Sequence, residues 1–577
     1  MTENNAFIEK MPRTFLPSDF TITTWDALQP YFEDLKNRPL DNLEALQRWL
    51  KDVSELEAVI SEDASWRQIK MTCDTTDKNL EEAFTYFCLE IEPKMKPYFF
   101  DLNKKLLDCP FTKDLNRSVY FPYLRNVDNM VKLYREENVP IQAELSVQAQ
   151  QYGVISGKMT VTLTGKEYTL QQAARFLQNP DRALREEVFR KISSRRLEDK
   201  EKLDELFDEL LKRRQQVAQN AGFDNYRDYK FRELGRFDYT PEECFQFHEA
   251  VKEHILPLQK MLTLHRKKRL GLDVMRPWDT DAEPEGVEPL HPFETGKELA
   301  EKAIAVFGKL RPYFAQCLQT MVAMGRLDLE SRKGKAPGGY NCPLAETGVP
   351  FIFMNAAGTV GDLITMMHEG GHAVHSFLSH PLPLSAFKEY PMEIAELASM
   401  SMELFTMEYW NEFFSNEDDL HRAQLEEMER VISVLPWIAT IDKFQHWLYT
   451  HPGHSRQERK ENWLAILNEF TTGVVDWRGF EEYRAYFWQK QLHLYEVPFY
   501  YIEYGIAQLG AIAMWRQYRQ NKEQALDNYM NALSLGYTRT LKELYEAAGI
   551  RFDFSPAYIQ ELGSFVKERL EEMGVRS

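Results

Sequence analysis

The residues best suited to chemistry lie in the stretch TMMHEGGHAVH, which spans residues 365–375. His368 and His372 are four positions apart, so in a helix they share one face and their imidazoles can converge on one metal ion. Glu369 then stands beside the open coordination position. A zinc ion with three protein ligands lowers the pKa of its bound water to about 7, and an adjacent carboxylate removes the proton as the water attacks a peptide carbonyl. The pattern predicts one zinc ion per chain, with Glu369 as the general base.

The competing interpretation is an ordinary surface or core helix in which two histidines fall four apart by accident. With histidine at about 2% and glutamate at about 8% of residues, the motif is expected by chance only about 0.03 times in a chain of this length. Gly370 and Gly371 each cost about 1 kcal/mol inside a helix relative to alanine, which calls for a reason such as a close backbone approach. The pattern therefore favours a functional helix.

A third metal ligand has to come from elsewhere in the chain. His375 lies about 10.5 Å along the helix from His368, too far for one ion to bind both, so we expect a core residue or a neighbour of the ligands. Residues 392–403, MEIAELASMSME, place Glu393, Glu396 and Glu403 on one helical face among small and apolar residues. Because glutamates are rarely buried without a partner, one of the three is predicted to meet the metal. Spacing alone leaves open which one it is.

The elements that must position these residues are predicted to be mainly helical. β-Branched residues that alternate with polar ones around Thr164 and Gly165 predict a small hairpin within 154–170. The apolar run Val349–Met354 predicts a strand just before the motif helix, where it could lie along a bound peptide. We expect a mainly α fold with a small sheet beside the active-site helix. Helical periodicity is clearest in the following segments: 42–60, 79–107, 181–219, 241–269, 297–325 and most of the chain from 362 onward.

Composition narrows the class of protein. A chain of 577 residues exceeds the size at which single hydrophobic cores usually stop growing, so two or more lobes are expected. The net charge of −19 disfavours binding to nucleic acid or to an anionic membrane, and no segment approaches the ~20 apolar residues of a membrane span. Six widely spaced cysteines indicate reduced thiols. Residues 1–15 do not resemble a secretory signal, so the expected location is the cytoplasm.

On these motifs the chain resembles the thimet oligopeptidase and oligoendopeptidase F family of zinc peptidases. That family joins a His-Glu-x-x-His helix to a later helix bearing Glu-x-x-Ser-x-x-x-Glu, and residues 396–403 fit this pattern 24 residues after His372. The resemblance implies that Glu396 is the third zinc ligand and that Glu403 orients a metal-bound histidine. Two further segments are similar to the bacterial oligoendopeptidase F branch: RPWD at 276–279 and KAPGGY at 335–340.

The resemblance also points to a C-terminal segment, HLYEVPFYYIEY at 493–504. In that family, a histidine and closely spaced tyrosines donate hydrogen bonds to the developing oxyanion. By resemblance these donors are His493 and Tyr504, with Tyr501 one turn earlier on the same helical face. The interval from His493 to the tyrosines is shorter than in the thimet-type branch, so which tyrosine faces the carbonyl stays open. Without the resemblance, this aromatic cluster would be interpreted as core packing.

The family implies a two-lobed, helical, gluzincin-like fold with a deep central channel. Residues 1–180 would form part of the lobe that covers the channel, and residues 181–577 would form the catalytic region. The function expected is a zinc-dependent endopeptidase that cuts internal bonds of short, unstructured peptides.

Two alternatives stay open at this point. One is a zinc carboxypeptidase or dipeptidyl carboxypeptidase, which needs a blocked channel end and a cation for the substrate carboxylate. The other is a catalytically inactive helical peptide-binding protein, against which the intact set of His368, Glu369, His372 and Glu396 argues. The oligomeric state is left undetermined.

Overall fold

A computed structural model describes residues 12–332, 334–336 and 338–576. Residues 1–11, on which most of the expectation of no secretory signal rests, lie outside the described residues, as does Pro337 of the KAPGGY segment. The described chain is mainly helical and carries two small β-sheets, so the predicted mainly α class is confirmed. Within this part of the chain, no helix combines the length and apolarity that a bilayer crossing needs.

The secondary structure is dominated by short and medium-length helices joined by brief connections. The α-helices in chain order are α1 (Trp25–Asn37), α2 (Leu43–Cys73), α3 (Lys78–Tyr86), α4 (Glu92–Asp108), α5 (Arg117–Leu133), α6 (Asn138–Gly157), α7 (Leu170–Ala174), α8 (Arg182–Glu198), α9 (Lys200–Asn220), α10 (Tyr226–Glu233), α11 (Pro241–Ala250), α12 (Leu256–Arg269), α13 (Gly296–Leu310), α14 (Pro312–Ala323), α15 (Val360–Ser379), α16 (Met392–Thr406), α17 (Glu417–Thr450), α18 (Arg456–Glu469), α19 (Glu481–Ala485), α20 (Leu492–Glu496), α21 (Tyr501–Gln520), α22 (Lys522–Ser534), α23 (Leu541–Ala547) and α24 (Pro556–Glu572). The strands are β1 (Thr160–Leu163), β2 (Lys166–Thr169), β3 (Leu327–Glu330), β4 (Tyr340–Cys342) and β5 (Phe351–Ala356). Two π-helical turns, Phe87–Ile91 and Val251–Ile255, directly precede α4 and α12.

These elements form two compact units. The first contains the described residues of Met1–Lys132, Leu290–Gln424 and Gly510–Phe552, and the second contains those of Leu133–Pro289, Leu425–Leu509 and Asp553–Ser577. The first unit holds α15, α16 and the sheet of β3, β4 and β5, whereas the second holds the β1–β2 hairpin and α6 to α12. The predicted channel between lobes and the predicted division at residue 180 stay predictions.

The N-terminal helices form as their periodicity predicts. In α2 the Asn42 side chain caps the first turn by accepting the Ala45 N–H at 2.8 Å. Buried positions recur three or four residues apart along the same helix, as at Leu46, Trp49 and Val53. Burial of this apolar stripe stabilises the helix far more than its intrinsic propensity does.

The hairpin is confirmed where the turn chemistry predicts it, but it begins later than expected. β1 and β2 pair antiparallel, and the two turn residues Thr164 and Gly165 have φ values of 51° and 80°. Positive φ at both positions is what a two-residue type I′ hairpin requires. The interpretation of 154–156 as strand is wrong, because α6 extends to Gly157. Once a helix is nucleated, each added residue gains a hydrogen bond, and this outweighs the modest strand preference of Val154 and Ile155.

The predicted strand before the motif helix is confirmed as β5, the central strand of a three-stranded sheet. β5 pairs parallel with β3 and antiparallel with β4. Residues 351–354 are all buried, which explains why this strand has an uninterrupted apolar sequence rather than an alternating one. It starts at Phe351 rather than at Val349, since Pro350 cannot donate a ladder hydrogen bond.

A capping box sets the start of α15 directly after β5. The Thr359 hydroxyl accepts the Asp362 N–H at 3.2 Å, and Asp362 Oδ2 accepts the N–H groups of Thr359 and Ala357 at 2.9 Å each. These bonds satisfy backbone donors that a helix N-terminus leaves unpaired. The register of α15, and therefore the direction of its histidine face, is fixed from this end.

The two glycines of the motif permit close packing of α15, against α16 at Gly371 and against α13 at Gly370. A Cβ atom on Gly371 would lie 2.7 Å from the Ser399 Cα and 2.9 Å from the Ala398 carbonyl oxygen. A Cβ atom on Gly370 would lie 2.5 Å from the Phe307 ring. The expectation of a close backbone approach is thereby confirmed, and this contact brings the α16 glutamates against the histidine face of α15.

We expect Gly371→Ala to destabilise the protein by about 1–3 kcal/mol, because the added methyl group has to push α16 away. The same shift displaces Glu396, so bound metal should fall as well. Denaturant unfolding and metal analysis measure the two effects. Gly361→Ala is the matched control on the same helix, since its Cβ would meet only Thr359 Oγ1 at an ordinary 3.6 Å. Equal behaviour of the two variants would contradict the close-packing argument.

Candidate active site

Three candidate ligand atoms converge in the first unit. The Nε2 atoms of His368 and His372 are 3.2 Å apart, and Glu396 Oε2 lies 3.4 Å from the former and 3.9 Å from the latter. Ligand atoms bound tetrahedrally to zinc at ~2.0–2.1 Å are separated by roughly 3.3 Å. Two imidazole nitrogens and one carboxylate oxygen at these separations can therefore hold a single metal ion.

The three side chains are not sealed off from solvent. His368 and His372 keep 21% and 17% of their side-chain exposure, whereas Glu396 keeps 5%. Metal sites with three protein ligands and an accessible face are typical of catalysis, because a water or a substrate occupies the fourth position. The geometry therefore fits a catalytic centre better than a purely structural one.

Neighbouring groups on α16 fix the orientation of the ligands. Glu403 Oε1 accepts a hydrogen bond from His368 Nδ1 at 2.5 Å, which turns the Nε2 atom toward His372 and Glu396. The Ser399 hydroxyl donates to Glu396 Oε2 at 3.3 Å. Each of these contacts narrows the position of a ligand atom before any ion binds.

The histidines differ in their proton affinity. Burial lowers the pKa of His372 to about 4, so its imidazole is neutral at neutral pH and available as a ligand. Burial also disfavours the charged form of His368, but hydrogen bonds to Glu396 and Glu403 outweigh it and hold the pKa of His368 well above its usual value. A metal ion that binds here has to displace the His368 proton.

Glu369 is buried beside this cluster. Burial is the main reason that the pKa of its carboxyl rises to about 7, with further contributions from the charges of Glu396 and Glu403. A carboxylate with a pKa near the working pH is suited to accept and return a proton. The Glu369 backbone carbonyl accepts a hydrogen bond from the Asn341 amide of β4 at 3.2 Å, which ties the motif helix to the sheet.

The remaining candidates near the motif take other roles. His375 is fully buried, and its ring stacks on Tyr390 with 3.6 Å between centroids, so it belongs to the core of the first unit. Glu393 is buried but does not join the group of potential metal ligands at the motif helix, whose members are His368, His372 and Glu396. Spacing alone left open which α16 glutamate is the third metal ligand, and the docking of α16 narrows that choice.

The other predicted site residues form an aromatic cluster in the second unit. The His493 ring centroid lies 4.7 Å from that of Tyr501 and 6.1 Å from that of Tyr504, and the two tyrosine rings are 5.7 Å apart. The Gln491 amide donates to His493 Nδ1 at 2.7 Å, which leaves Nε2 as the N–H of the neutral ring. Burial lowers the pKa of His493 to about 4 and raises the pKa of Tyr501 to about 12. At neutral pH both side chains are therefore uncharged hydrogen-bond donors.

The segment 493–504 is held by residues that the sequence analysis missed. Phe499 has a φ of 66°, a conformation that bulky residues rarely adopt. Its N–H donates to Gln445 Oε1 at 2.6 Å, and its carbonyl accepts from Arg236, which also pairs with the buried carboxylate of Glu503 at 2.7 Å. Neither Gln445 nor Arg236 stands in a motif, so no local signal marks them.

Comparison with known proteins adds an independent finding. Residues 175–564 match the sequence pattern of peptidase family M3, and residues 15–134 match that of the peptidase M3 N-terminal domain. The chain belongs to peptidase family M3. The oligoendopeptidases of this family are metalloendopeptidases, so the predicted family and the predicted class of metallopeptidase are confirmed. Family membership also implies a metal cofactor.

Individual relatives match this chain in structure or in sequence. The solved structure of PZ peptidase A with an inhibitor has a TM-score of 0.89 and 27% identity, and the match covers 97% of this chain and 100% of that one. An oligoendopeptidase F homologue of Borreliella burgdorferi is 24% identical over 71% of this chain and 68% of its own length. Oligopeptidase PepF of Bacillus subtilis is 25% identical over 58% of this chain, a match that spans 49% of PepF.

We expect Glu403→Gln to weaken metal affinity by about 10–100-fold, because the amide cannot supply the negative charge that raises the basicity of His368. Competition with a chelator measures the affinity. His375→Ala serves as the control on the motif helix, since that residue packs on Tyr390 and not on the cluster, and it should retain its metal. Unchanged affinity in the Glu403 variant would remove this residue from the site.

Proposed function

We propose that the protein is a zinc-dependent endopeptidase that hydrolyses internal peptide bonds of short, unstructured peptides. The observation that carries the proposal is the convergence of His368, His372 and Glu396, with the carboxyl of Glu369 buried beside them. Membership of family M3 supports it, as do the names oligoendopeptidase F and oligopeptidase given to the relatives.

In this proposal one zinc ion binds through His368 Nε2, His372 Nε2 and the Glu396 carboxylate. The donor set fits, because two histidines and one glutamate are a set that catalytic zinc sites use, and because Glu403 holds the His368 ring with Nε2 free. When bound, zinc supplies a lowered water pKa of about 7 and polarises the scissile carbonyl.

Glu369 acts as the general base and then as the general acid. Its carboxylate accepts the proton of the attacking water and returns it to the leaving amine. Catalysis requires the ionised form at the start of each cycle. Activity is therefore lost as the pH falls through the pKa of Glu369, which a bound cation lowers below its value in the free chain.

We assign His493 and Tyr504, with Tyr501 as the competing tyrosine, to the stabilisation of the oxyanion on the substrate. An imidazole N–H and a phenol O–H are the neutral donors that a developing negative charge needs. Support comes from the neutral state of His493 at physiological pH and from the hydrogen bond that leaves its Nε2–H free to donate.

The substrates in this proposal are short peptides, and the location is the cytoplasm. The six cysteines support that location, because all of them are unpaired thiols in the structure and unpaired thiols in large proteins are typical of reducing compartments.

Glu369→Gln should keep its zinc but lose turnover by about 10²–10⁴-fold, because the amide has nearly the same shape and cannot accept a proton. Zinc content and cleavage of an internally quenched peptide measure the two properties, and kcat/KM of the wild type should fall on the acid side of pH 7. Activity within tenfold of the wild type would exclude Glu369 as the base.

Mass-spectrometric mapping of the products tests the type of cleavage in the same experiment. Fragments from both sides of an internal bond support the endopeptidase. Release of only C-terminal residues or dipeptides would favour a carboxypeptidase instead, and no cleavage by the zinc-loaded wild type would favour an inactive peptide-binding protein.

Tyr504→Phe should lower kcat by roughly 10²–10³-fold with little change in KM, the pattern of a donor used mainly in the transition state. Tyr500→Phe is a matched control, since the Tyr500 ring lies 5.3 Å from that of Tyr504 in the same cluster but has no assigned role. Steady-state kinetics of Tyr501→Phe decide between the tyrosines: if this variant carries the large loss, Tyr501 is the donor and the assignment of Tyr504 is wrong.

A further inference from the structure

A second group of metal-binding side-chain types lies in the second unit, between α11 and α17. Cys244 and His248 are one turn apart on α11, and Asp442 and His446 are one turn apart on α17, so each pair shares a helix face. The four residues keep 1%, 0%, 0% and 2% of their exposure, respectively. Nothing in the proposed peptidase mechanism uses them.

Their ligand atoms are close together. Asp442 Oδ2 lies 2.8 Å from His248 Nε2 and 3.2 Å from His446 Nε2. Cys244, Asp442 and His446 each offer a ligand atom within 4.8 Å of the others. Separations around a tetrahedral zinc ion are roughly 3.3 Å between nitrogen and oxygen ligands and larger to sulfur, so these three residues can hold one ion. His248 contacts Asp442 but lies outside this group, so its side chain has to shift to become the fourth ligand.

Hydrogen bonding within the protein leaves part of this cluster unsatisfied. Asp442 Oδ1 and the Nδ1 atoms of His248 and His446 are buried without a hydrogen-bond partner in the described chain, and His446 Nε2 has only its 3.2 Å contact with Asp442 Oδ2. An unmade hydrogen bond at a buried polar atom costs about 1–3 kcal/mol, and more where the group is charged. A simple hydrogen-bonded Asp–His network explains the contacts of Asp442 Oδ2 with the two histidines, but not the unpartnered Asp442 Oδ1 or the position of Cys244 beside them.

We infer that Cys244, His248, Asp442 and His446 form a second, structural zinc site. Two neutral imidazoles, one carboxylate and one thiolate carry two negative charges, which a divalent zinc ion balances, so the site is neutral inside the core. Four protein ligands leave no open position, which is the arrangement of structural rather than catalytic zinc. The nearby guanidinium of Arg236 does not oppose the ion, because its charge is already paired with Glu503 at 2.7 Å.

Cys244 has to lose its proton when zinc binds. Burial raises the pKa of Cys244 well above its usual value, and the charge of Asp442 raises it further, so the sulfur is a thiol when no cation is bound. Zinc removes the proton from a thiol that coordinates it. Binding at neutral pH is therefore accompanied by loss of the Cys244 proton.

The site links two helices that support the segment 493–504. The His446 ring lies 5.4 Å from that of Phe499, and the adjacent Gln445 binds the Phe499 N–H. An ion between α11 and α17 fixes α17 at the point where it holds this strained residue. Its role is to position the aromatic cluster, without contact with substrate.

Zinc analysis of the full chain tests the inference. We expect about two zinc ions per wild-type chain and about one in the double variant His368→Ala/His372→Ala. One ion in the wild type and none in the double variant would overturn the second site. One ion that persists in the double variant but is lost in Cys244→Ser would support the second site and instead contradict the proposed catalytic zinc, so the two proposals fail separately.

Cobalt substitution provides a test that does not depend on how well a variant folds. A cobalt–thiolate bond gives an intense charge-transfer absorption in the near ultraviolet, and among the proposed ligands of both sites only Cys244 is a thiolate. We expect this band in the cobalt-loaded wild type and in the His368→Ala/His372→Ala variant. Cys317→Ser, which changes another fully buried cysteine, should keep the band, whereas Cys244→Ser should lose it. A fully cobalt-loaded wild type without the band would overturn the inference.

Discussion

The approach of α15 to α16 at Gly371 is the contact on which the candidate site depends. With no side chain at this position, the helix axes lie so close that the Ser399 Cα occupies the space of the missing Cβ. A glutamate on α16 can then reach the imidazoles of α15 without crossing a layer of core residues. Glu396 and Glu403 are seven positions apart, which leaves them only about 20° apart around the helix and two turns apart along it. Both consequently face His368, one at each of its ring nitrogens.

The same contact places several buried carboxyl groups close together, and a cation would reduce their mutual repulsion. Three carboxyl groups, those of Glu369, Glu396 and Glu403, lie buried near two imidazoles. Burial, together with the charges of Glu396 and Glu403, raises the pKa of Glu369 to about 7, which shows that a third negative charge is disfavoured there. A divalent ion offsets two of the three charges, which lowers the energy of the cluster and keeps Glu369 ionised at the pH of catalysis. In the proposed mechanism, metal binding and the role of Glu369 as the base are therefore coupled through one buried group of charges.

The sequence was sufficient wherever the determining interactions are local. The spacing of His368 and His372, the turn at Thr164 and Gly165, and the apolar run of β5 all depend on neighbours within a few residues, and all three elements are present in the structure. The choice among the glutamates of α16 depends on how two helices dock, so spacing alone could not make it. The roles of Gln445 and Arg236 could not be predicted from local sequence. Each forms a hydrogen bond with the backbone of Phe499, which lies more than fifty residues away along the chain in both cases. Residues 154–156 illustrate a different kind of error. Their local strand preference predicted a strand, but they continue helix α6.

The two groups of candidate metal ligands share the same spacing along a helix but differ in their expected roles. In each, one helix presents two ligands four positions apart, His368 with His372 on α15 and Cys244 with His248 on α11. The difference lies in what the facing helix contributes and in what covers the result. In the proposed catalytic site, helix α16 supplies one ligand to partly exposed histidines, which leaves a coordination position open to water and substrate. In the inferred second site, helix α17 supplies two ligands to a fully buried group, which leaves no open position. Burial and the number of protein ligands, rather than the spacing of the histidines, determine whether a metal ion held by such a helix pair is catalytic or structural.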